Sequence, residues 1–463
     1  MKIKLTKPYT AREIEKITGA FIGSDIRPDQ TLDAIATHSD EVEKNTLFLA
    51  FRGERTDGTR FYEAVTERGG YIMSEKRHAR GFTVSSVQDA LFRMAEAHLA
   101  SLRQRKSTVC ITGSTGKTTT KEILFRILSP HLCVHATKGN QNSEIGLPLT
   151  VLSAPEDTEI LLLEAGMNHA GELARLSYLA RPDLAIITNV GYAHVGNLGS
   201  REAIAAAKKE ILLGKKENAS VLIPAAEALL SDVADQRTVA LFGEEADFTL
   251  TEENGDPIFK ERGGAHLAFP QGMTDLAMRS ASAFAAAAAL LLGIQASSIE
   301  KEISSFRHNI FRQNIINKNG MEIVFDAYNA SPESVLNAIF SLCRRRDERP
   351  CALVLGDMKE LGAHADAMHR RIASALSEQR GDMDLLFLFG ESAEAIAEYA
   401  KESGFPADRI FINPDTDCPE ATANEILKRK RDGMRVVLKG ARKMRMERIL
   451  CLLTVEKDGD HNA

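Results

Sequence analysis

The segment Val109–Glu122, VCITGSTGKTTTKE, constrains this chain more than any other stretch. An apolar run, Val109-Cys110-Ile111, enters Thr112-Gly113-Ser114-Thr115-Gly116-Lys117-Thr118, and Ile123, Leu124, Ile127 and Leu128 then recur at helical spacing. Strand, glycine loop and helix in that order make a phosphate site. The glycines let backbone N–H groups close around phosphate oxygens, and the helix start adds unpaired N–H groups and its positive dipole end. Lys117 would neutralise the outer phosphates and the Thr118 hydroxyl would reach Mg²⁺. The competing reading is a βα turn that happens to carry Gly-Lys-Thr, since Ile111 stands where the general P-loop pattern has glycine. The strand and helix around it favour a nucleotide.

A length of 463 residues fits about three domains at roughly 150 residues each. Residues 1–83 alternate short β-like runs (47–51, 70–73, 82–84) with helical pieces, a small α/β domain. Ser86–Gln104 reads as an amphipathic helix leading into a nucleotide domain, 84–306. There, continuous apolar runs at 108–111, 132–135, 160–163, 184–187 and 221–223 alternate with helical patterns, which predicts a parallel sheet buried on both faces. Residues 238–278 read as an antiparallel edge, and the Ala-rich 281–294 as a buried helix too short to span a bilayer. From 307 onward, strands at 323–325, 352–355, 385–389, 410–412 and 436–438 interleave with helices, predicting a second doubly wound, Rossmann-like domain, 307–463.

The net charge of −6 gives no reason to expect nucleic acid. The basic runs Arg344-Arg345-Arg346 and Lys428–Arg431 read as solvated helix ends. The six cysteines are scattered without a CxxC pair and several lie in apolar runs, as reduced core residues of a cytoplasmic protein would. The start MKIKLTKPYT carries no secretory signal, and no membrane insertion is expected.

Ligands of open α/β sheets sit beyond the carboxyl ends of the strands. Besides the glycine loop, the 159–163 run ends in Glu164-Ala-Gly-Met-Asn168, and the 184–187 run in Thr188-Asn189 and on to His194. A hydroxyl, a carboxylate and an imidazole would thus share one edge. Glu164 directly after Leu-Leu-Leu is poorly explained by packing, because burying an unpaired carboxylate is costly, so it is a candidate metal or phosphate-side ligand. Ser200 looks like a helix start, and by periodicity Lys208-Lys209-Glu210 form a solvated face. In the last domain Asp326, Tyr328, Asn329, the segment 356–362 and Lys439–Arg442 all follow strands. They could form a second ligand edge or be ordinary βα turns.

Taken together these segments resemble the Mur ligases, the ATP-dependent amide-forming enzymes of peptidoglycan synthesis. The resemblance rests on TGSTGKTTTKE, GNQNSEIGLPLTVL (139–152), EAGMNHAGEL (164–173), ITNVGYAHVGNLGSREAIAAAKKEI (187–211), DAYNASPESV (326–335), LGDMKELG (355–362) and LKGARKMRMER (438–448). It implies a small N-terminal UDP-substrate domain, a central P-loop ATPase domain and the Rossmann-like third. The branch it most resembles adds D-Ala-D-Ala to UDP-MurNAc-tripeptide through an acyl phosphate, in the cytoplasm and as a monomer. ATP would lie against Gly113, Ser114, Thr115, Gly116, Lys117, Thr118 and Thr119, with Arg312 and Asp326 from the third domain. One Mg²⁺ would sit on Thr118 and Glu164, and a second on His194 and a carbamylated Lys208, which reverses the surface reading of that lysine. Lys117, His194 and Lys208 would serve catalysis, while Ser39, Asn140, Asn142, Glu144, Tyr328 and Asn329 would meet the substrates. The chain departs from the family pattern at His38-Ser39-Asp40, where Asp-Ser-Arg is usual, and at Met278-Arg279 and Ser282, where His-Asn and Asn lie near adenine. Two alternatives stay open: another Mur-type or folylpolyglutamate-type amino-acid ligase, and a non-catalytic nucleotide-binding module.

Overall fold

The computed structural model describes all residues except 54–55, 234–235, 242–244, 255, 271–272, 274, 307–313, 345–348, 382 and 456–463. Three sheets organise them, and each lies in its own stretch of chain.

The first sheet has six strands in the order Lys2–Thr10, Thr31–Ala36, Thr46–Leu49, Tyr71–Ser74, Gly81–Thr83, Phe21–Ile22. Its inner four strands run parallel and the two outermost pair antiparallel. The apolar runs at 47–51, 70–73 and 82–84 correspond to three of these strands; the two outermost and the inner Thr31–Ala36 were not expected. Lys2–Thr10 is a half-exposed edge in which Ile3, Leu5 and Tyr9 are buried, and its pairing slips between Lys4 and Tyr9, around Pro8, which cannot donate to a ladder.

The central sheet has nine strands, ordered His266–Ala268, Asp256–Glu261, Phe248–Glu253, Gln236–Leu241, Ser220–Pro224, Leu184–Ile187, Ser107–Thr112, Ile160–Glu164, Val134–Ala136. The last seven of these are parallel. Antiparallel pairing begins only beyond Phe248–Glu253, so the expected antiparallel edge is narrower than 238–278, and a helix starts at Leu276. Both faces are buried. Val109, Ile111, Ile160 and Leu162 pack with Ile123, Leu124 and Ile127 of the Lys117–Leu128 helix and with Ala283–Ala289, while Cys110, Leu161 and Leu163 face the opposite cluster. Ala285–Ala289 are fully buried; a methyl-sized surface lets the Leu276–Leu291 helix lie close against the helix that follows the glycine loop.

The third sheet runs Asn314–Lys318, Met321–Asp326, Met434–Lys439, Cys351–Gly356, Leu385–Phe389, Ile410–Asn413, all parallel except its first strand. That antiparallel edge strand escaped the sequence reading because its residues are only partly buried and polar at Asn314, Asn317 and Lys318. Among the described residues no helix is long and apolar enough to cross a membrane. The described cysteines are all free, but only Cys110 and Cys351 are buried; Cys133, Cys418 and Cys451 are exposed, which corrects the reading of scattered cysteines as core residues.

Candidate functional site

Parallel register brings three strand ends side by side. Ile111 pairs with Glu164, and Thr112 with Ile187, so the glycine loop is flanked by the segments that begin at Glu164 and Thr188. The loop is fastened from the Thr188 side. Asn189 Oδ1 accepts from the N–H groups of Ser114 and Thr115 at 2.9 Å each, and Thr188 Oγ1 donates to Thr115 O at 2.6 Å. Gly113 has φ +150°, and a Cβ there would come within 1.9 Å of Thr188 Oγ1. Only glycine permits that approach.

Lys117 and Thr118 open the helix. Lys117 Nζ donates to Gly113 O at 2.6 Å, and Thr118 Oγ1 donates to Glu164 Oε2 at 2.8 Å. Glu164 is 2% exposed; its other oxygen accepts from Asn142 Nδ2 at 2.8 Å, and Lys121 Nζ lies 3.8 Å from Oε2. The carboxylate survives burial because a cation and two donors surround it. Sequence reasoning missed Lys121, although it stands three residues after Thr118 and so on the same helix face.

Lys117, Thr118, Asn142 and Glu164 line a cavity of 290 Å³ that also takes in Ser114, Thr115, Gly116, Thr119, Asn140 and His194, and, from the third unit, Asp326, Tyr328, Asn329, Asn337 and Lys439. Asp326 Oδ2 accepts from the buried Lys439 at 2.9 Å, and the same ammonium reaches Asn329 O at 2.8 Å. His194 adopts φ +66°, and its Nδ1 lies 2.8 Å from Glu360 Oε2; that contact holds the Glu360 carboxyl below its usual range. The third unit is also joined to the central one by Ser341 Oγ donating to Asp275 Oδ2 at 2.6 Å and by Tyr192 N donating to Glu333 Oε1 at 2.7 Å.

Other expected residues stand apart from the cavity. Lys208 is 1% exposed on the Arg201–Lys209 helix, which Ser200 caps, so the periodicity reading of a solvated lysine is wrong. Burial pushes its ammonium well below the usual lysine range; the charge of Lys117 adds to this and Glu333 opposes it. Glu144 is held by Arg175 at 3.2 Å. Ser39 opens a 3₁₀ turn on the first unit, where its carbonyl accepts from Arg68 at 2.5 Å. Arg312 lies outside the described residues. Arg279 is buried, donating to Met273 O at 2.5 Å and pairing with Glu252 at 2.5 Å, and neither it nor Ser282 lines the cavity.

In donor chemistry the cavity offers a P-loop, hard oxygen donors in Thr118 and Glu164, and further polar groups from a separate sheet. Comparison with known proteins points the same way. Residues 111–289 match the Mur ligase middle domain, and residues 311–442 match the Mur ligase, glutamate ligase domain. The chain is 34% identical to the UDP-N-acetylmuramoyl-tripeptide–D-alanyl-D-alanine ligase of Bacillus subtilis over 95% of its length and 97% of that protein. It is 28% identical to the ligase of the same name from Escherichia coli over 94% of this chain and 95% of that one. Among solved structures, MurF from Acinetobacter baumannii superposes with a TM-score of 0.87 at 26% identity, covering 97% of this chain and 99% of that one. MurF ligase from Thermotoga maritima, in complex with ADP, gives a TM-score of 0.78 at 30% identity over 90% of this chain and 96% of the other.

Proposed function

This chain belongs to the Mur ligase family, and from that premise we infer that it joins D-alanyl-D-alanine to UDP-MurNAc-tripeptide, driven by conversion of ATP to ADP and phosphate. The observation that carries the reading is the meeting, in one cavity, of a P-loop from the central sheet with Asp326, Tyr328 and Asn329 from the third.

A carboxylate does not form an amide at neutral pH, because oxide is too poor a leaving group. Its oxygen therefore attacks the γ-phosphorus, ADP departs, and the acyl phosphate accepts the dipeptide amine. A tetrahedral intermediate then collapses with loss of phosphate, and the amine releases one proton. Two anions must approach for the first step. The backbone N–H groups of the glycine loop and Lys117 lower that repulsion and follow the charge as it spreads. The Lys117 ammonium already stands at the loop, 2.6 Å from Gly113 O.

Residues 1–83 would bind the UDP end of the acceptor, 84–306 the ATP, and 307–463 would close over both. Ser39 fits the first role by position, and Asn140, Asn142 and Glu144 would frame the tripeptide. Thr118 and Glu164 suit Mg²⁺, since a hydroxyl and a buried carboxylate 2.8 Å apart are hard oxygen donors. The ion would supply charge neutralisation at the phosphates. As an ammonium, Lys208 repels a cation; burial that favours its neutral amine supplies the nucleophile that adds to CO₂, giving a carbamate and a proton, and that carbamate with His194 would suit a second Mg²⁺. Enzyme equilibrated with ¹³C-bicarbonate should show a carbamate carbon signal that Lys208→Ala lacks. Action in the cytoplasm as a monomer completes the proposal.

The test is product analysis by mass spectrometry with ATP, UDP-MurNAc-tripeptide and, in separate reactions, D-Ala-D-Ala, meso-diaminopimelate, lysine or glutamate. A UDP-MurNAc-pentapeptide formed only with D-Ala-D-Ala supports the reading. Turnover with another amine reassigns the substrate, and ADP binding without any turnover favours a binding module.

A further inference from the structure

We propose that Asn337, on the Pro332–Arg344 helix of the third unit, reads the base of the bound nucleotide and makes base selection depend on that unit being docked. This rests on the ATP reading above and adds to it the residue that distinguishes adenine.

A second cavity, of 270 Å³, adjoins the first and shares Gly116 and Asn337 with it. A nucleotide whose phosphates lie on the Gly113–Thr118 loop has this space within reach of its nucleoside. Leu241, Leu276 and Ala281 give it apolar walls suited to a planar ring, and Thr120 contributes a buried hydroxyl with no hydrogen-bond partner among the described residues. Arg279, the large polar side chain on the neighbouring helix, is already committed to Met273 O and Glu252. Asn337 is half-buried between the two cavities, and no described residue hydrogen-bonds its amide.

A carboxamide presents a donor and an acceptor side by side. That pair complements N7 and the 6-amino group of adenine, whereas guanine presents two acceptors, N7 and O6, on the same edge. Asn337 therefore favours adenine over guanine. Because it stands on the third unit while the phosphate loop belongs to the central one, the base is read across the junction that Ser341–Asp275 and Glu333–Tyr192 hold together.

The test compares ADP with GDP binding to the full chain by calorimetry, with no acceptor present, and then kcat/KM for ATP, GTP and 7-deaza-ATP. Asn337→Ala should lower the ADP:GDP preference by about ten- to a hundredfold while the KM for D-Ala-D-Ala stays within twofold. Asn337→Asp, nearly isosteric, loses the donor and should weaken ADP as well. In the wild type 7-deaza-ATP should be used less well than ATP, and in Asn337→Ala equally well. An unchanged ADP:GDP ratio in both variants overturns the role of Asn337 and leaves the ATP site standing. A wild type that binds neither nucleotide overturns both.

Discussion

Gly191→Ala is expected to loosen the docking of the third unit, and its size follows from local geometry. A Cβ at residue 191 would lie 2.5 Å from Glu333 Cδ and 2.7 Å from Oε2, where ordinary contact begins near 3.4 Å. The nearest atoms are the end of a flexible side chain, so Glu333 can swing aside. Doing so breaks the 2.7 Å hydrogen bond from Tyr192 N and takes the carboxylate away from Lys208, whose charge it offsets. A hydrogen bond to a charged acceptor is worth about 1.5–3 kcal/mol, so docking should weaken by about 2 kcal/mol, roughly 30-fold. The assay is phosphate release with saturating acceptor, reading kcat/KM for ATP, alongside thermal unfolding to show that each unit remains folded. In an Glu333→Ala background the obstruction and the bond are already gone, so adding Gly191→Ala should cost almost nothing further. Equal losses in both backgrounds, or a Gly191→Ala enzyme within twofold of wild type, would show that Glu333 does not hold the third unit in this way.

Lys117→Ala should reduce ADP release at least about a hundredfold, as loss of one preorganised transition-state donor does, while circular dichroism stays unchanged. Glu164→Gln should keep the bond from Thr118 but raise the Mg²⁺ concentration needed for half-maximal rate, read by magnesium titration. Burial, with help from the charge of Glu13, pushes the Tyr9 phenol from 10.0 up to about 12. The unfolded chain therefore loses this proton first, so stability contributed by Tyr9 is complete below pH 10 and falls as pH rises toward 12, by about 2–3 kcal/mol. Tyr9→Phe should flatten that part of the denaturation curve relative to wild type; identical slopes would contradict it.

The central sheet was legible because strands buried on both faces must be continuously apolar, and Val109–Ile111, Ile160–Leu163 and Leu184–Ile187 are. Their carboxyl ends then located Lys117, Thr118, Glu164 and His194 together, since strand direction fixes which end carries the loops. Edge strands were less visible. Lys2–Thr10 and Asn314–Lys318 bury only alternate or partial positions and carry Lys, Pro and Asn. Lys208 and Lys209 show the limit of periodicity: adjacent identical residues, one 1% exposed and the other paired with Asp232 at the surface. Periodicity does not distinguish them; only the resemblance of AKKEI to the family pattern singles out Lys208. Glu333 and Asn337 were opaque for a related reason, because the face that the 332–344 helix turns to the glycine loop is defined by how two units dock.

The proposed ligase activity requires activation of the acceptor carboxylate by phosphoryl transfer in the cavity around Lys117. UDP-MurNAc-tripeptide labelled with ¹⁸O in the carboxylate that becomes the amide should be incubated with ATP and D-Ala-D-Ala, and the released phosphate analysed by mass spectrometry. One ¹⁸O per phosphate at full label is the expected result, in step with pentapeptide formation. Phosphate free of ¹⁸O while pentapeptide accumulates would contradict the acyl-phosphate route.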